Sequence, residues 1–242
     1  MAMQLHHGMI IMKNVKDTYT AFHENHNIGP VYPTEWVIRT FLGRYPNLAL
    51  DKDKYAGAKL LDLGFGDGRN WPLLHNQKMD IYGIEITDKI VSLGYQRATE
   101  LDIPVNLQVG RNSAIPFEAN FFDYLLACHS CYYVDKDTTF QDNLNEFSRI
   151  LKPGAIFIAS LPEPNGDIFK GCIERENGHV EIQNDPWGLR NGYLFKWFQS
   201  EQDIHSTFSP FFEDLSIGLC CDNYYGVQIN VWLLVCKKKF SA

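Results

Sequence analysis

The run Asp62-Leu63-Gly64-Phe65-Gly66-Asp67-Gly68 follows the apolar stretch Lys59–Leu63 and precedes a helical stretch from about Arg69 to His75. Glycines at the end of a buried strand let the backbone turn tightly and approach a ligand at distances that a Cβ forbids. The helix that follows presents free N–H groups to an anionic group. Glu85 closes the next apolar run, 21 residues after Gly64, where a carboxylate can accept both hydroxyls of a ribose lying over the strand ends. Two nucleoside ligands compete for this arrangement. A dinucleotide fingerprint, G-x-G-x-x-G/A, wants a small third residue, and counting from Gly64 that position is Arg69. The spacing present is G-x-G-x-G behind Asp62, and a pyrophosphate gains little from a loop carrying Asp62 and Asp67. A nucleoside ligand with cationic groups tolerates or exploits both acids. The remaining reading, a glycine-rich turn with no ligand, is disfavoured by the independent acid at Glu85.

A second chemical cluster is Cys128-His129-Ser130-Cys131. A redox pair belongs at the start of a helix, where the dipole lowers a thiol pKa. Here the pair follows the apolar run Phe121–Ala127 and looks like the end of a strand. A structural zinc site wants a second pair, and the adjacent Cys220-Cys221 chelates poorly. Ordinary buried thiols and no metal are therefore expected. The 16 Phe, 12 Tyr and 5 Trp crowd residues 187–232, as a packed core or as the wall of an apolar pocket.

The elements that must hold these residues alternate from residue 58 onward. Strands are expected at Lys59–Leu63, Met79–Glu85, Val105–Val109, Phe122–Ala127 and Ala155–Ser160. Helices lie between them, one capped by Thr87 and one over Thr139–Leu151, and Lys152-Pro153-Gly154 supplies the stop before the fifth strand. This rhythm means a parallel sheet with helices on both faces. Upstream, residues 15–45 read as two helical pieces broken at 28–33, the second capped by Thr34. Residues 161–198 are rich in Gly and Pro, with β-like pieces at His179–Ile182 and Tyr193–Phe198. Ser200-Glu201-Gln202-Asp203 resembles a capping box opening a helix to about Phe208. Leu215–Cys221 and Val227–Cys236 close the chain as an antiparallel hairpin with a longer loop over 222–226. The fold expected is α/β: a seven-stranded, mostly parallel, Rossmann-like sheet with an antiparallel C-terminal hairpin.

With 242 residues the length suits one α/β domain. The expected division is a helical cap over 1–50, a core over 58–160, an insertion over 161–198 and a closing helix and hairpin over 199–242. Twenty-two Lys and Arg against 29 Asp and Glu give a net charge of −7, which argues against nucleic acid as the main partner. No apolar run reaches the roughly 20 residues of a membrane span, and MAMQLHHGMIIMK lacks a signal peptide's basic start. A soluble, cytoplasmic protein is the default expectation. The sequence carries no expectation of oligomeric state.

LLDLGFGDGRN, then YGIEIT, then IPFEANFFDYLLACHSCYYV, resemble the class I S-adenosylmethionine-dependent methyltransferases, in the style of the branch that modifies small metabolites. The resemblance is strong over about 58–160. It implies S-adenosylmethionine as cofactor, S-adenosylhomocysteine as product, and a small-molecule acceptor methylated by in-line displacement. It further implies that Asp62 orients the loop and the methionine ammonium, and that Gly64, Phe65, Gly66 and Gly68 form the loop under the methionine part. Glu85 would hold the ribose and Ile86 would pack on adenine. One departure is Arg111, which stands where the family often has an acid near the adenine amino group, so Asn112 or Ser113 is the acceptor expected instead. The strand end at Cys128-His129-Ser130 would face the methionine moiety, with His129 the best-placed base. Tyr132, Tyr133 and Glu163 are candidate walls of the acceptor site, and Arg190 a candidate partner for a substrate carboxylate or phosphate. Tyr19, Phe22 and His23 would close over the cofactor as a lid. A protein or RNA methyltransferase, a non-catalytic cofactor-binding partner protein and, disfavoured by Arg69, a nicotinamide-dependent oxidoreductase are the competing readings.

Overall fold

The computed structural model describes residues 15–26, 29–48 and 50–240. In chain order the strands are β1 (Lys59–Leu63), β2 (Asp80–Glu85), β3 (Val105–Val109), β4 (Phe122–Ala127), β5 (Tyr133–Val134), β6 (Leu151–Pro162), β7 (Ile173–Glu174), β8 (His179–Glu181), β9 (Leu194–Lys196), β10 (Phe212–Tyr224) and β11 (Val227–Lys238). The α-helices are α1 (Val15–His26), α2 (Glu35–Leu42), α3 (Trp71–Asn76), α4 (Asp88–Leu101), α5 (Phe140–Ile150) and α6 (Glu201–Phe208). Seven strands form one sheet in the order β10-β11-β6-β4-β1-β2-β3. β3, β2, β1, β4 and β6 run parallel, and β11 joins β6 antiparallel. The chain reverses direction across the sheet between β1 and β4, and the cleft above their C-terminal ends is where open α/β sheets bind ligands.

Successive side chains on a strand face opposite ways, and the sheet divides its core accordingly. Leu61 and Leu63 pack with α5 and α6 through Phe147, Ile204 and Phe208. Leu60 packs on the other face with Trp36 and Phe41 of α2, Trp71 of α3 and Ile90 of α4. Asp62 shares that second face by the same alternation, so a carboxylate is carried into an apolar layer.

The expected caps are only partly realised. Thr87 Oγ1 accepts from the Ile90 N–H, as anticipated. Thr34 precedes α2, but its side chain makes no cap bond; its N–H donates to Asn70 Oδ1 at 3.1 Å instead, and its hydroxyl accepts from Cys128. Ser200 Oγ accepts from Asp203 N–H, while the Asp203 carboxylate reaches Gln199 rather than closing a box on Ser200. A true capping box forms at Thr139 and Asp142.

Three further differences concern the strands. β6 begins at Leu151, directly after α5, so the expected stop at Lys152-Pro153-Gly154 lies within the strand, with Gly154 at φ +78°. The C-terminal hairpin turns on two residues, Tyr225 (φ +54°) and Gly226 (φ +94°), rather than a longer loop. Paired positive φ values suit the right-handed twist of the flanking strands. The 161–198 segment contributes β7, β8 and β9 to a second sheet, ordered β5-β9-β8-β7. Its first strand, β5, comes from the segment after β4, so this small sheet is anchored beside the C-terminal ends of the large one.

At the far edge, the Tyr95 hydroxyl of α4 donates to Leu107 O and accepts from Leu107 N, each at 3.0 Å, on the outer side of β3. Two glycines seat Phe65 beneath α4: a Cβ at Gly83 or Gly94 would stand 2.7 Å from the Phe65 ring. Helix propensity favours alanine over glycine at Gly94 by about 1 kcal/mol. Overpacking a core costs roughly 1–3 kcal/mol, so Gly94→Ala is expected to be net destabilising and to lower the melting temperature. Thermal unfolding checks this, and a variant at least as stable as the parent would show slack around Phe65.

Candidate functional site

The turn after β1 is built from left-handed glycines. Gly64, Gly66 and Gly68 have φ of +66°, +60° and +70°. A Cβ at Gly64 would lie 2.8 Å from Ser130 Cβ, and one at Gly68 would lie 2.5 Å from the Trp71 ring. The loop is therefore pinned between the end of β4 and the start of α3, with no room for a side chain at Gly64 or Gly68. Asp62 lies directly before it, 1% exposed, and no hydrogen bond reaches its Oδ2 among the described residues. Burial, reinforced by the charges of Glu85 and Asp67 and opposed by the Trp71 indole, pushes its carboxyl up to about 7. An ionised carboxylate so placed calls for a cation.

Glu85 ends β2 facing the same turn. Its Oε1 accepts from Gly66 N–H and its Oε2 from Ile86 N–H, each at 3.0 Å. Burial raises this carboxyl too, against those two N–H donors. Asp67 behaves differently: burial opposes its ionisation, but hydrogen bonds from Arg69 outweigh it and hold the pKa below the ordinary value. Asp67 is thus committed to Arg69 and is not a third free acid facing a cation.

At the end of β4 the chain enters a left-handed turn at His129, φ +58°. Ser160 of β6 secures it: its Oγ accepts from the His129 backbone N–H at 2.9 Å and lies 3.1 Å from Nδ1. With Nδ1–H donating to Ser160, Nε2 keeps a free lone pair; the opposite tautomer leaves Nε2 a donor. Trp36 meets the imidazole edge-on at 6.3 Å, and its buried indole N–H has no partner among the described residues. Burial, with Arg190 and Arg69, pushes His129 down to about 4, so the ring is neutral at physiological pH. The neighbouring Cys128 thiol donates to Thr34 Oγ1 and is pushed up by burial to about 12. Cys131 is fully buried with its thiol also raised, and all six cysteines are free. The Cys128 and Cys131 thiols are protonated packing groups. Among the described residues, no cluster of three or more His, Cys, Asp or Glu is arranged to hold a metal ion.

The roof comes from three separate segments. α1 crosses above the glycine loop, joined to α4 by a Thr20–Thr87 hydroxyl contact at 3.3 Å and a Glu24–Lys89 pair at 3.4 Å. His23 hangs over Gly66, where a Cβ would come within 3.4 Å of its ring. Tyr19 Oη lies 2.7 Å from Tyr133 Oη, and Arg190 Nε donates to Tyr133 Oη at 3.0 Å. Tyr193 meets both tyrosine rings edge-on, with centroids 5.8 and 5.2 Å away. The loop carrying Arg190 is wound around Asp185, whose carboxylate accepts from the N–H groups of Trp187, Leu189 and Arg190.

The structure brings Asp62, Gly64, Gly66, Gly68, Glu85, Cys128, His129, Tyr19, Tyr133 and Arg190 around one cleft. Other expected residues are differently employed. The Phe65 ring turns away from the loop into the core, against Trp71, Gly83 and Gly94, because the strand leaves an apolar slot there; only its main chain serves the loop. Asn112 Nδ2 donates to Ser130 O and Tyr133 O, tying the two loops together, which leaves Oδ1 as its acceptor. Ser113 lies in the tight turn closed by Arg111 and Ala114. Arg111 pairs with Asp135, so the departure from the family pattern is neutralised locally. Glu163 is buried and braces Asn165 and Asn230 instead of standing as a free wall. Tyr132 is buried in the core, stacked on Tyr133 and edge-on to Phe195. Ile86 lies partly buried beside Glu85. Trp36, Asn70 and Ser160 were not singled out, because their roles arise from contacts 31 or more residues away, of which sequence spacing gives no sign.

Residues 61–159 match the family described as a methyltransferase domain. No curated protein matches the chain. Among solved structures, a methyltransferase from Methanosarcina mazei described as S-adenosylmethionine-dependent is 18% identical, with a TM-score of 0.64 over 82% of this chain and 99% of that one. A Thermotoga maritima protein described as a possible histamine N-methyltransferase is 16% identical, with a TM-score of 0.56 over 92% of this chain and 99% of its own. The Burkholderia thailandensis 1,6-didemethyltoxoflavin N1-methyltransferase, solved with 1,6-didemethyltoxoflavin and S-adenosylhomocysteine bound, is 14% identical, with a TM-score of 0.59 over 93% and 87%. At these identities the likeness to solved structures speaks to the fold, and the seven-stranded architecture agrees with it.

Two outcomes follow from the electrostatics. Asp62 has its folded pKa raised from 3.8 to about 7. Its contribution to stability is therefore full below about 4 and lost as pH rises through about 7. Asp62→Asn removes that loss, so the melting temperature of the variant relative to the parent is expected to climb between about pH 4 and about pH 7, the window between the two pKa values, and to level off above it. A difference independent of pH would refute the assignment. For His129, NMR of the imidazole is expected to show a neutral ring until the pH falls to about 4. A midpoint near the ordinary 6.5 would contradict it.

Proposed function

We propose that this chain, whose residues 61–159 match a methyltransferase domain, is a class I S-adenosylmethionine-dependent methyltransferase that methylates a small-molecule acceptor. In this reading the chain is an enzyme and S-adenosylmethionine its cofactor, supported by the methyltransferase-domain match and by the neighbours described as S-adenosylmethionine-dependent or solved with S-adenosylhomocysteine bound. When bound, that cofactor supplies an electrophilic methyl group on a sulfonium. The residues present fit it on one observation above others: the buried, unpartnered Oδ2 of Asp62 beside a loop with no room for a Cβ at Gly64 or Gly68. In this reading Asp62 takes the methionine ammonium, and Gly64, Gly66 and Gly68 with the Phe65 main chain form the floor. Glu85 exchanges its N–H donors for the ribose hydroxyls. Ile86 packs against the base, and Asn112 Oδ1 or Ser113 supplies a polar contact to it. Tyr19 and Cys128 complete the enclosure.

The small-molecule part rests chiefly on the roof. Tyr19, Tyr133, Tyr193 and Arg190 close the methyl-delivery end from above, which suits a compact acceptor better than a polymer threading an open groove. Two neighbours, described as a possible histamine N-methyltransferase and a didemethyltoxoflavin methyltransferase, act by their descriptions on small molecules. The charge of −7 agrees. Holding the acceptor in line with the departing sulfur and excluding water provides most of the acceleration available to such a reaction. His129, neutral and seated by Ser160, can take the proton of an O–H or N–H acceptor at Nε2 in one tautomer.

Labelled methyl transfer from S-adenosylmethionine into fractionated cell extract tests this. Label is expected in the dialysable fraction, dependent on the enzyme. Label confined to protein or RNA would overturn the small-molecule reading and leave the enzyme class standing.

A further inference from the structure

Arg190 is held with unusual investment for a loop residue. Asp185, whose side chain is fully buried, takes three backbone N–H donors from the loop and pairs with Arg190 Nη1 at 3.3 Å. The Arg190 Nε is spent on Tyr133 Oη. Trp187 lies under the guanidinium, its centroid 5.6 Å away. These contacts fix the plane of the fork, and no hydrogen bond among the described residues engages Nη2. The guanidinium is not an exposed surface charge either, since its side chain is 23% accessible.

Its place is given by its contacts. Nε reaches the hydroxyl of Tyr133, on the segment that follows His129 at the end of β4, and the Tyr133 carbonyl shares the Asn112 amide with Ser130 O. Asp62 and Glu85 lie instead at the ends of β1 and β2, beside the glycine loop. The rings of Tyr19, Tyr133 and Tyr193 pack on one another with centroids 5.2 to 6.2 Å apart, so an acceptor lies against this group and not within it.

Resting on the methyltransferase reading, we propose that the acceptor carries an acidic group, a carboxylate or phosphate, which Arg190 receives at Nη2 while the nucleophilic atom lies toward His129. A planar fork with one free N–H edge is the geometry that matches an oxyanion, and a cationic amine in the same place meets repulsion. Arg190 is in this account a specificity residue; the proton and the methyl group are handled elsewhere.

The test uses the full chain loaded with S-adenosylhomocysteine and follows its melting temperature with benzoate, inorganic phosphate and benzylamine. Stabilisation by benzoate or by phosphate is expected, the responding arm identifying the acid, and none by benzylamine. Arg190→Gln is expected to weaken the responding acid at least tenfold. Arg190→Lys, which keeps the charge and guards against simple loss of the loop, should weaken it less. Arg175→Gln, on the same small sheet and paired with Glu181, should leave the response unchanged. No shift with either acid, an equal shift with benzylamine, or a full shift in Arg190→Gln would overturn the proposal. Failure of S-adenosylhomocysteine itself to stabilise the protein would instead strike the reading on which the proposal rests.

Discussion

A single carboxylate carried into an apolar layer sets the terms for the rest of the molecule. Asp62 sits on the face of β1 that also holds Leu60, in the layer built by α2, α3 and α4. Ionised and alone there, it would be costly, and its carboxyl is pushed up to about 7 as a result. The cost is tolerable if a cation arrives during function, and the surroundings are arranged for that arrival. The loop above it turns through three left-handed glycines, Ser130 and Trp71 bar a side chain at Gly64 and Gly68, and Glu85 lies across the turn with its oxygens satisfied by main-chain donors. The site is preorganised in its backbone and frustrated in its charge.

The second sheet performs a different service. It is small, with strands of two and three residues, and would not stand by itself. It is stable because Val180, Ile182, Phe195 and Phe198 run into the same core as α5 and α6. Anchored there, it presents the Asp185–Tyr193 loop to the cleft and meets α1 through Tyr19. The floor of the site comes from the parallel sheet, and its roof from segments distant in sequence, so floor and roof can vary independently.

The division between what the sequence disclosed and what it concealed follows range. Lys59–Leu63, Phe122–Ala127 and the Thr87 cap were legible because strand alternation and capping are local signals. Gly64, Gly66 and Gly68 were legible because positive φ demands glycine. The small sheet was only half visible: β5 and β7 are two residues long, and β5 pairs with β9 about 60 residues later. Phe65 was expected among the loop residues under the ligand, but the path of its ring was not legible: Gly83 and Gly94 open a slot beneath α4 that no reading of the loop reveals. Ser160, the partner of His129, is an ordinary strand serine in sequence; only the β4–β6 register makes it a neighbour. Thr34 was legible as a boundary but not in its chemistry, because Cys128 claims its hydroxyl.

The Tyr95 hydroxyl on β3 has a consequence for encounters between chains. A strand at the margin of a sheet offers peptide groups to any passing strand, and here the middle of that margin is already occupied by a phenol that both gives and takes a hydrogen bond. One border of the sheet is plugged, and β10 at the other border is the long one, 13 residues. Asp214 and Asp222 flank Gly218 of β10 at equal distances, so two copies meeting head to tail about that glycine set aspartate against aspartate. The two borders of the sheet are thus furnished differently, with a covering hydroxyl on one and a symmetric pair of aspartates on the other.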